Sequence, residues 1–175
     1  MLDYLKKDTK IDDTLLFIDK CAKYDIIGWH SLMVGFPNEP KEALKETFDL
    51  LKYIKRANKN NELLMFFFTP FPGTPLYEEC IKLGFKPPDS LEGSSKYKIS
   101  NVNMPWITEK YKNKALNFLY YIGLAYPDNE VNERIQNNKY KIFFYKFAKI
   151  ISNIRLNMNF YGFPIEKKIG KSIQD

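Results

Sequence analysis

Trp29-His30-Ser31-Leu32-Met33-Val34-Gly35-Phe36-Pro37-Asn38-Glu39-Pro40 is the stretch on which the fold turns. Within Trp29 to Pro37 the second half is continuously apolar, as expected for a buried strand of a parallel sheet. The Gly35-Phe36-Pro37-Asn38 turn ends the run. Pro40 suits the first turn of a following helix, because its missing N–H would be unpaired there anyway. Leu44, Phe48, Leu51 and Ile54, with Leu50 nearby, mark one face of a helix predicted from about Pro40 to Asn58, and Lys and Glu fill the other side.

The same pattern then repeats. Asn58-Lys59-Asn60-Asn61 reads as a polar turn, and Leu63-Leu64-Met65-Phe66-Phe67-Phe68-Thr69 as a second buried strand. Pro72-Gly73 is a type II turn pair, since glycine tolerates positive φ. Thr74 can cap, and Pro75 open, a helix through Leu83 that Gly84 terminates. Strands joined by a helical connection of this length are parallel.

Upstream, Thr9-Lys10-Ile11-Asp12 fits a capping pattern, and Ile11, Leu15, Ile18 and Ala22 recur at helical spacing up to a stop near Ala22 to Tyr24. Downstream, residues 85–105 read as irregular. Thr108 can cap a helix carrying Tyr111, Ala115, Leu119 and Ile122. Pro127-Asp128-Asn129 marks a boundary, and a last helix is predicted over about 137–157. The fold class is therefore α/β, with a body over 1–125 and a basic, aromatic-rich helical extension over 126–175.

Charge separates the same two parts. The 175 residues carry 27 Lys and Arg against 21 Asp and Glu, a formal +6. Residues 137–175 hold eight basic and two acidic groups, so residues 1–136 balance. The basic pI of about 9.1 belongs to the extension, and a nucleic-acid partner for the whole chain loses its main support. No apolar run is long enough to span a bilayer, and the first residues lack the apolar core of a signal peptide, which predicts a cytoplasmic protein. Cys21 and Cys80 lie far apart in sequence and form no metal-type pair; each reads as a small apolar filler.

Two segments carry a family resemblance. Leu32-Met33-Val34-Gly35-Phe36-Pro37-Asn38-Glu39-Pro40 resembles the late-barrel strand and loop of radical S-adenosylmethionine (SAM) enzymes, apolar-apolar-G-x-P-G-E-[ST]. Thr69-Pro70-Phe71-Pro72-Gly73-Thr74-Pro75-Leu76-Tyr77 is similar to the P-[FY]-P-G-T-P-L-Y segment that follows the last barrel strand. Two such motifs, in order and with a helix between, are far more specific than either alone. Leu2 to Asp12 also resembles the helix that precedes them. The likeness covers residues 1 to about 125 and is closest to the class that often carries a cobalamin-binding domain. Asn38 stands where the family has glycine, and Pro40 where it has serine or threonine. Asparagine is the next best residue for a left-handed backbone.

The resemblance implies the C-terminal part of a (β/α) barrel of radical SAM type. The complete enzyme would use SAM and a [4Fe-4S] cluster, and in some members cobalamin, for radical chemistry such as methylation or cyclisation. The C-x-x-x-C-x-x-C motif that ligates the cluster is not in this sequence, so the metal ligands and early strands are expected on a missing N-terminal half or a partner chain. No catalytic residue is assigned. Ser31, Gly35 and Glu39 correspond to the SAM side, and Thr69, Phe71 and Tyr77 to the substrate side, for a small-molecule or lipid-like substrate.

Each position also has a structural alternative. Gly35 could simply end a strand, and Glu39 could be a first-turn carboxylate favoured by the helix dipole. Thr69, Phe71 and Tyr77 could cap and pack. His30, the only histidine, is usually structural in a strand, although its ring suits proton transfer if it faces a cavity. In the extension, Tyr140, Phe143, Phe144, Phe147, Ile150, Ile151 and Ile154 share one helical face flanked by Lys139, Lys141, Lys146 and Lys149. That face is expected to pack on the body. The alternative is a non-enzymatic module that lies on an anionic membrane at its inner face, or binds a partner.

Overall fold

In a computed structural model, described for residues 2, 4–94, 104–127, 139–164 and 167, the chain is a mixed α/β structure. The order is α1 (Ile11–Lys23), β1 (Trp29–Val34), α2 (Ala43–Ala57), β2 (Glu62–Phe67), α3 (Pro75–Lys82), a single turn α4 (Leu91–Ser94), α5 (Glu109–Ala125) and α6 (Lys139–Met158).

The two strands are parallel neighbours, with Trp29 opposite Glu62 and Val34 opposite Phe67. Together they form a two-stranded sheet; among the described residues no further strand pairs with either edge, and no barrel is closed. Leu32, Val34, Met65 and Phe67 point to the helix-packed side and join the core. On the other side Trp29 is 79% exposed, Met33 48% and Leu64 40%. The sequence predicts strands covered on both faces; here only one face is covered.

The crossover helix α2 centres the core. Phe48, Leu51 and Ile54 are fully buried, each contributing about 1.5–3 kcal/mol by leaving water. The Phe48 ring stacks on Phe118 of α5 at 4.0 Å, and Tyr161 meets both edge-on at 5.2 and 5.4 Å. Tyr161 follows α6, so the extension and the body share one core. α2 begins at Ala43 rather than Pro40, because Pro40 to Ala43 closes a separate turn through an Ala43 N–H to Pro40 carbonyl bond of 3.0 Å.

Capping follows the sequence in one helix and departs from it in two. The Thr108 hydroxyl accepts the Tyr111 N–H at 3.2 Å and opens α5. Lys10, not Thr9, is the N-cap of α1, with no side-chain cap, and Asp12 and Asp13 in the first turn complement the helix dipole instead. Thr74 sits at the N-cap of α3, yet its hydroxyl donates back to the Phe71 carbonyl at 2.8 Å, tightening the Pro72-Gly73 turn. Gly73 there has φ 82°, as a type II turn requires.

α6 packs on α5 through Ser152 and Leu156, both buried, and the Tyr145 hydroxyl donates to the Leu124 carbonyl at 2.9 Å. At about 100° per residue these positions lie opposite Phe143, Phe147, Ile150, Ile154 and Met158. Those five are 52 to 72% exposed. The aromatic face therefore does not pack on the body. The side chain of Tyr140 lies outside the described residues, as does the expected boundary at Asp128-Asn129.

Candidate functional site

At the carboxyl end of β1 the chain folds a cleft of about 740 Å³, lined by Gly35, Glu39, Trp106, Ile107, Tyr111 and Lys114 among others. Gly35 has φ 76°, and its two backbone polar groups are both engaged. Its N–H donates to Glu39 Oε2 at 3.2 Å, and its carbonyl accepts the Trp106 indole N–H at 3.0 Å. The Tyr111 hydroxyl donates to the same Glu39 oxygen. A Cβ added at Gly35 would meet Ile107 Cδ1 at 2.6 Å. Glycine is thus required twice here: for the left-handed backbone, and for the close approach of Ile107.

Glu39 is not a first-turn carboxylate of α2. It stands four residues before α2 and locks the Gly35 turn from below. Burial pushes its carboxyl up from the ordinary carboxylate range, while the bonds from Tyr111 and Gly35 pull it down. Burial and the adjacent Glu39 both push the Tyr111 hydroxyl upward.

A second hydrogen-bonded knot joins the loops after the two strands. Asn38, left-handed at φ 56° as its place in the turn predicts, donates through its amide to Glu79 of α3. The Tyr4 hydroxyl donates to the other Glu79 oxygen at 2.6 Å, and burial followed by Glu79 pushes that phenol up to about 12. Tyr77, two residues before Glu79, packs edge-on to Phe85 with ring centroids 6.1 Å apart.

The sequence-predicted residues are therefore only partly gathered. Gly35, Asn38 and Glu39 meet at the cleft. Ser31 lies on the open sheet face with Met33, opposite Leu64 in the register. Thr69 is half-buried and Phe71 is 66% exposed on the turn before α3. His30 sits near the amino end of the sheet beside Gly28 and Asn61, with its Nε2 buried and without a partner among the described residues. Burial lowers its pKa, and Asn61 opposes that shift. Trp106, Ile107 and Glu79 are missing from the sequence reading, and Tyr111 enters it only as a residue on a helix face. A tryptophan just ahead of the Thr108 cap was the available signal, because an indole placed in an irregular stretch needs both a packing surface and an acceptor.

Cys21 of α1 and Cys80 of α3 are both buried, and burial followed by Glu79 pushes the Cys80 thiol up to about 11. Among the described residues no three His, Cys, Asp or Glu groups converge. These thiols do not fit an iron–sulfur cluster. At the Gly35 turn Ile107 and Trp106 pack against the glycine. No helix among the described residues is long and apolar enough to cross a membrane. No family model, curated protein or solved structure matches the chain.

Proposed function

We propose that this chain is the C-terminal part of a radical SAM-type (β/α) barrel and forms one wall of an enzyme whose cluster-bearing half is carried outside these residues. The observation that supports the reading is the pair of signature loops. Gly35-Phe36-Pro37-Asn38-Glu39 and Thr69 to Pro75 leave the same end of two adjacent parallel strands, and Asn38 and Glu79 tie the first loop to the helix that follows the second. Helices cover only one side of that sheet. A barrel has its helices outside and its strand interiors within, so the uncovered face of Trp29, Ser31, Met33 and Leu64 is the side a completed barrel would enclose.

In that enzyme the bound cluster and SAM, with cobalamin in some members, supply the radical that modifies the substrate. This chain's own part is to line the cavity with Ser31 and exclude water with Met33 and Leu64, while Thr69, Phe71 and Tyr77 border the substrate side. Ligand contact at Gly35 requires Ile107 and Trp106 to move aside.

Co-expression with a polypeptide bearing the C-x-x-x-C-x-x-C segment tests this. A Ser31→Cys variant should react quickly with a maleimide in the isolated chain and be protected in the complex. Equal labelling in both states, or stoichiometric iron and SAM cleavage by the isolated chain, refutes the reading. The second reading, peripheral contact with an anionic membrane, is favoured by the exposed Phe143, Phe147, Ile150 and Ile154 stripe of α6. Binding to vesicles regardless of anionic lipid content and salt would remove it.

A further inference from the structure

We propose that the groove between α5 and the segment following α6 is a binding site for a phosphate group carried on an apolar body. The groove has a volume of about 890 Å³ and lies apart from the Gly35 turn. Lys110 and Lys114, one turn apart on α5, form one wall, and Lys167, its ammonium 5.6 Å from the Tyr120 ring centroid, also lines the groove. Among the described residues no carboxylate lines it. Among the described residues none of the three lysines has an ion-pair partner. Glu109, beside Lys110 in sequence, pairs with Lys112 at 3.8 Å.

Three ammonium groups around one concavity repel one another and raise the local concentration of anions. A phosphate with two charges and several acceptor oxygens relieves that repulsion, where a single carboxylate offers half the charge. The remaining wall is aromatic. Phe160 is 50% exposed and Phe163 80%, with Pro164 beside them, so an apolar group attached to the phosphate has a surface to cover. Arg155 fixes this wall by donating to the Gly162 carbonyl at 2.8 Å and the Phe163 carbonyl at 3.1 Å. Asn117, buried, holds the Tyr161 carbonyl at 2.8 Å, so the groove is preformed at its base. The neighbouring cleft shares Lys110 and Lys114 but carries the Glu39 carboxyl, which makes it the poorer anion site.

A phosphate of this kind can arrive as a soluble ester or as a lipid headgroup. Glycerol 3-phosphate, measured by calorimetry, and phosphatidylcholine vesicles with and without phosphatidic acid, measured by co-sedimentation, separate the two. Lys110→Gln/Lys114→Gln changes exposed side chains, and unchanged circular dichroism verifies its fold. The double variant should lose affinity by about tenfold for whichever probe binds. Binding of glycerol 3-phosphate supports a soluble ester; binding confined to phosphatidic acid vesicles supports a lipid headgroup. Phe147→Glu/Ile154→Glu should leave glycerol 3-phosphate binding intact, which keeps this site separate from any membrane contact of α6. Failure of every phosphate probe, or binding indifferent to the two lysine changes, overturns the proposal.

Discussion

Replacing Gly35 by alanine should destabilise the chain by two separable routes. At φ 76° an alanine costs about 1–2 kcal/mol relative to a backbone it prefers. Its Cβ would also lie 2.6 Å from Ile107 Cδ1, which requires the isoleucine to leave its rotamer and adds about 1 kcal/mol. Ile107→Val removes that δ-carbon and leaves Cγ1 at 3.4 Å, a tolerable contact. Alone it should cost about 0.5–1.5 kcal/mol. In the valine background, Gly35→Ala should therefore retain only its conformational cost. Urea unfolding followed by circular dichroism, with all four members of the cycle at one slope, reads the coupling directly. The expected interaction is about 1 kcal/mol, favouring the double variant over the sum of the singles. Additive effects would mean that Ile107 does not sit on Gly35 and that the turn is open to a ligand.

Tyr111→Phe removes a donor to Glu39, so the Glu39 pKa should rise further, read by carboxyl chemical shifts in a pH titration; a fall would refute the bond. His30 binds its proton less readily folded than unfolded, so stability should fall as pH drops through the ordinary imidazole value of 6.5. Thermal melts across that range should lose part of this slope in His30→Leu, and an unchanged slope would place the titration elsewhere. Phe143→Glu/Phe147→Glu should leave thermal stability within about 0.5 kcal/mol while reducing self-association in sedimentation velocity, because both side chains already face solvent. A large loss of stability would show that the stripe is packed.

What the sequence made legible was the part governed by local periodicity. The face of α2 followed from Leu44, Phe48, Leu51 and Ile54, because a helix buries residues three and four apart wherever it packs. Parallel pairing followed from connection length. The covering of the strands did not, since Leu32-Met33-Val34 is apolar on both sides and a run of that kind does not say how many faces are buried. α6 posed the same problem in helical form. Ser152 and Leu156 face inward while Phe147 and Ile154 face out, and the larger apolar stripe is the one left exposed. Spacing ranks faces by composition; packing selects the one whose shape fits α5. Around Gly35 the missing information was long-range. Glu39 was in view, but Trp106 reaches the Gly35 carbonyl from 71 positions away and Tyr111 reaches Glu39 from 72, and nothing local to either segment names the other as its partner.

The exposed surfaces bear on how this chain exists in a cell. A two-stranded sheet with helices on one side is marginal by itself, and its strands present unpaired edges that invite pairing with another chain. Trp29, Met33 and Leu64 form one apolar surface on the sheet, and the α6 stripe forms another on a separate element. A monomer stable in dilute solution has no reason to keep both bare. The sheet face calls for strands and side chains to complete its layer, which a barrel half would supply and a bilayer would not, because lipid offers no hydrogen bonds to an open strand edge. The α6 stripe has its backbone already satisfied within the helix, so either a protein or a membrane surface can cover it. The two surfaces therefore have different requirements, and saturating one should leave the other exposed.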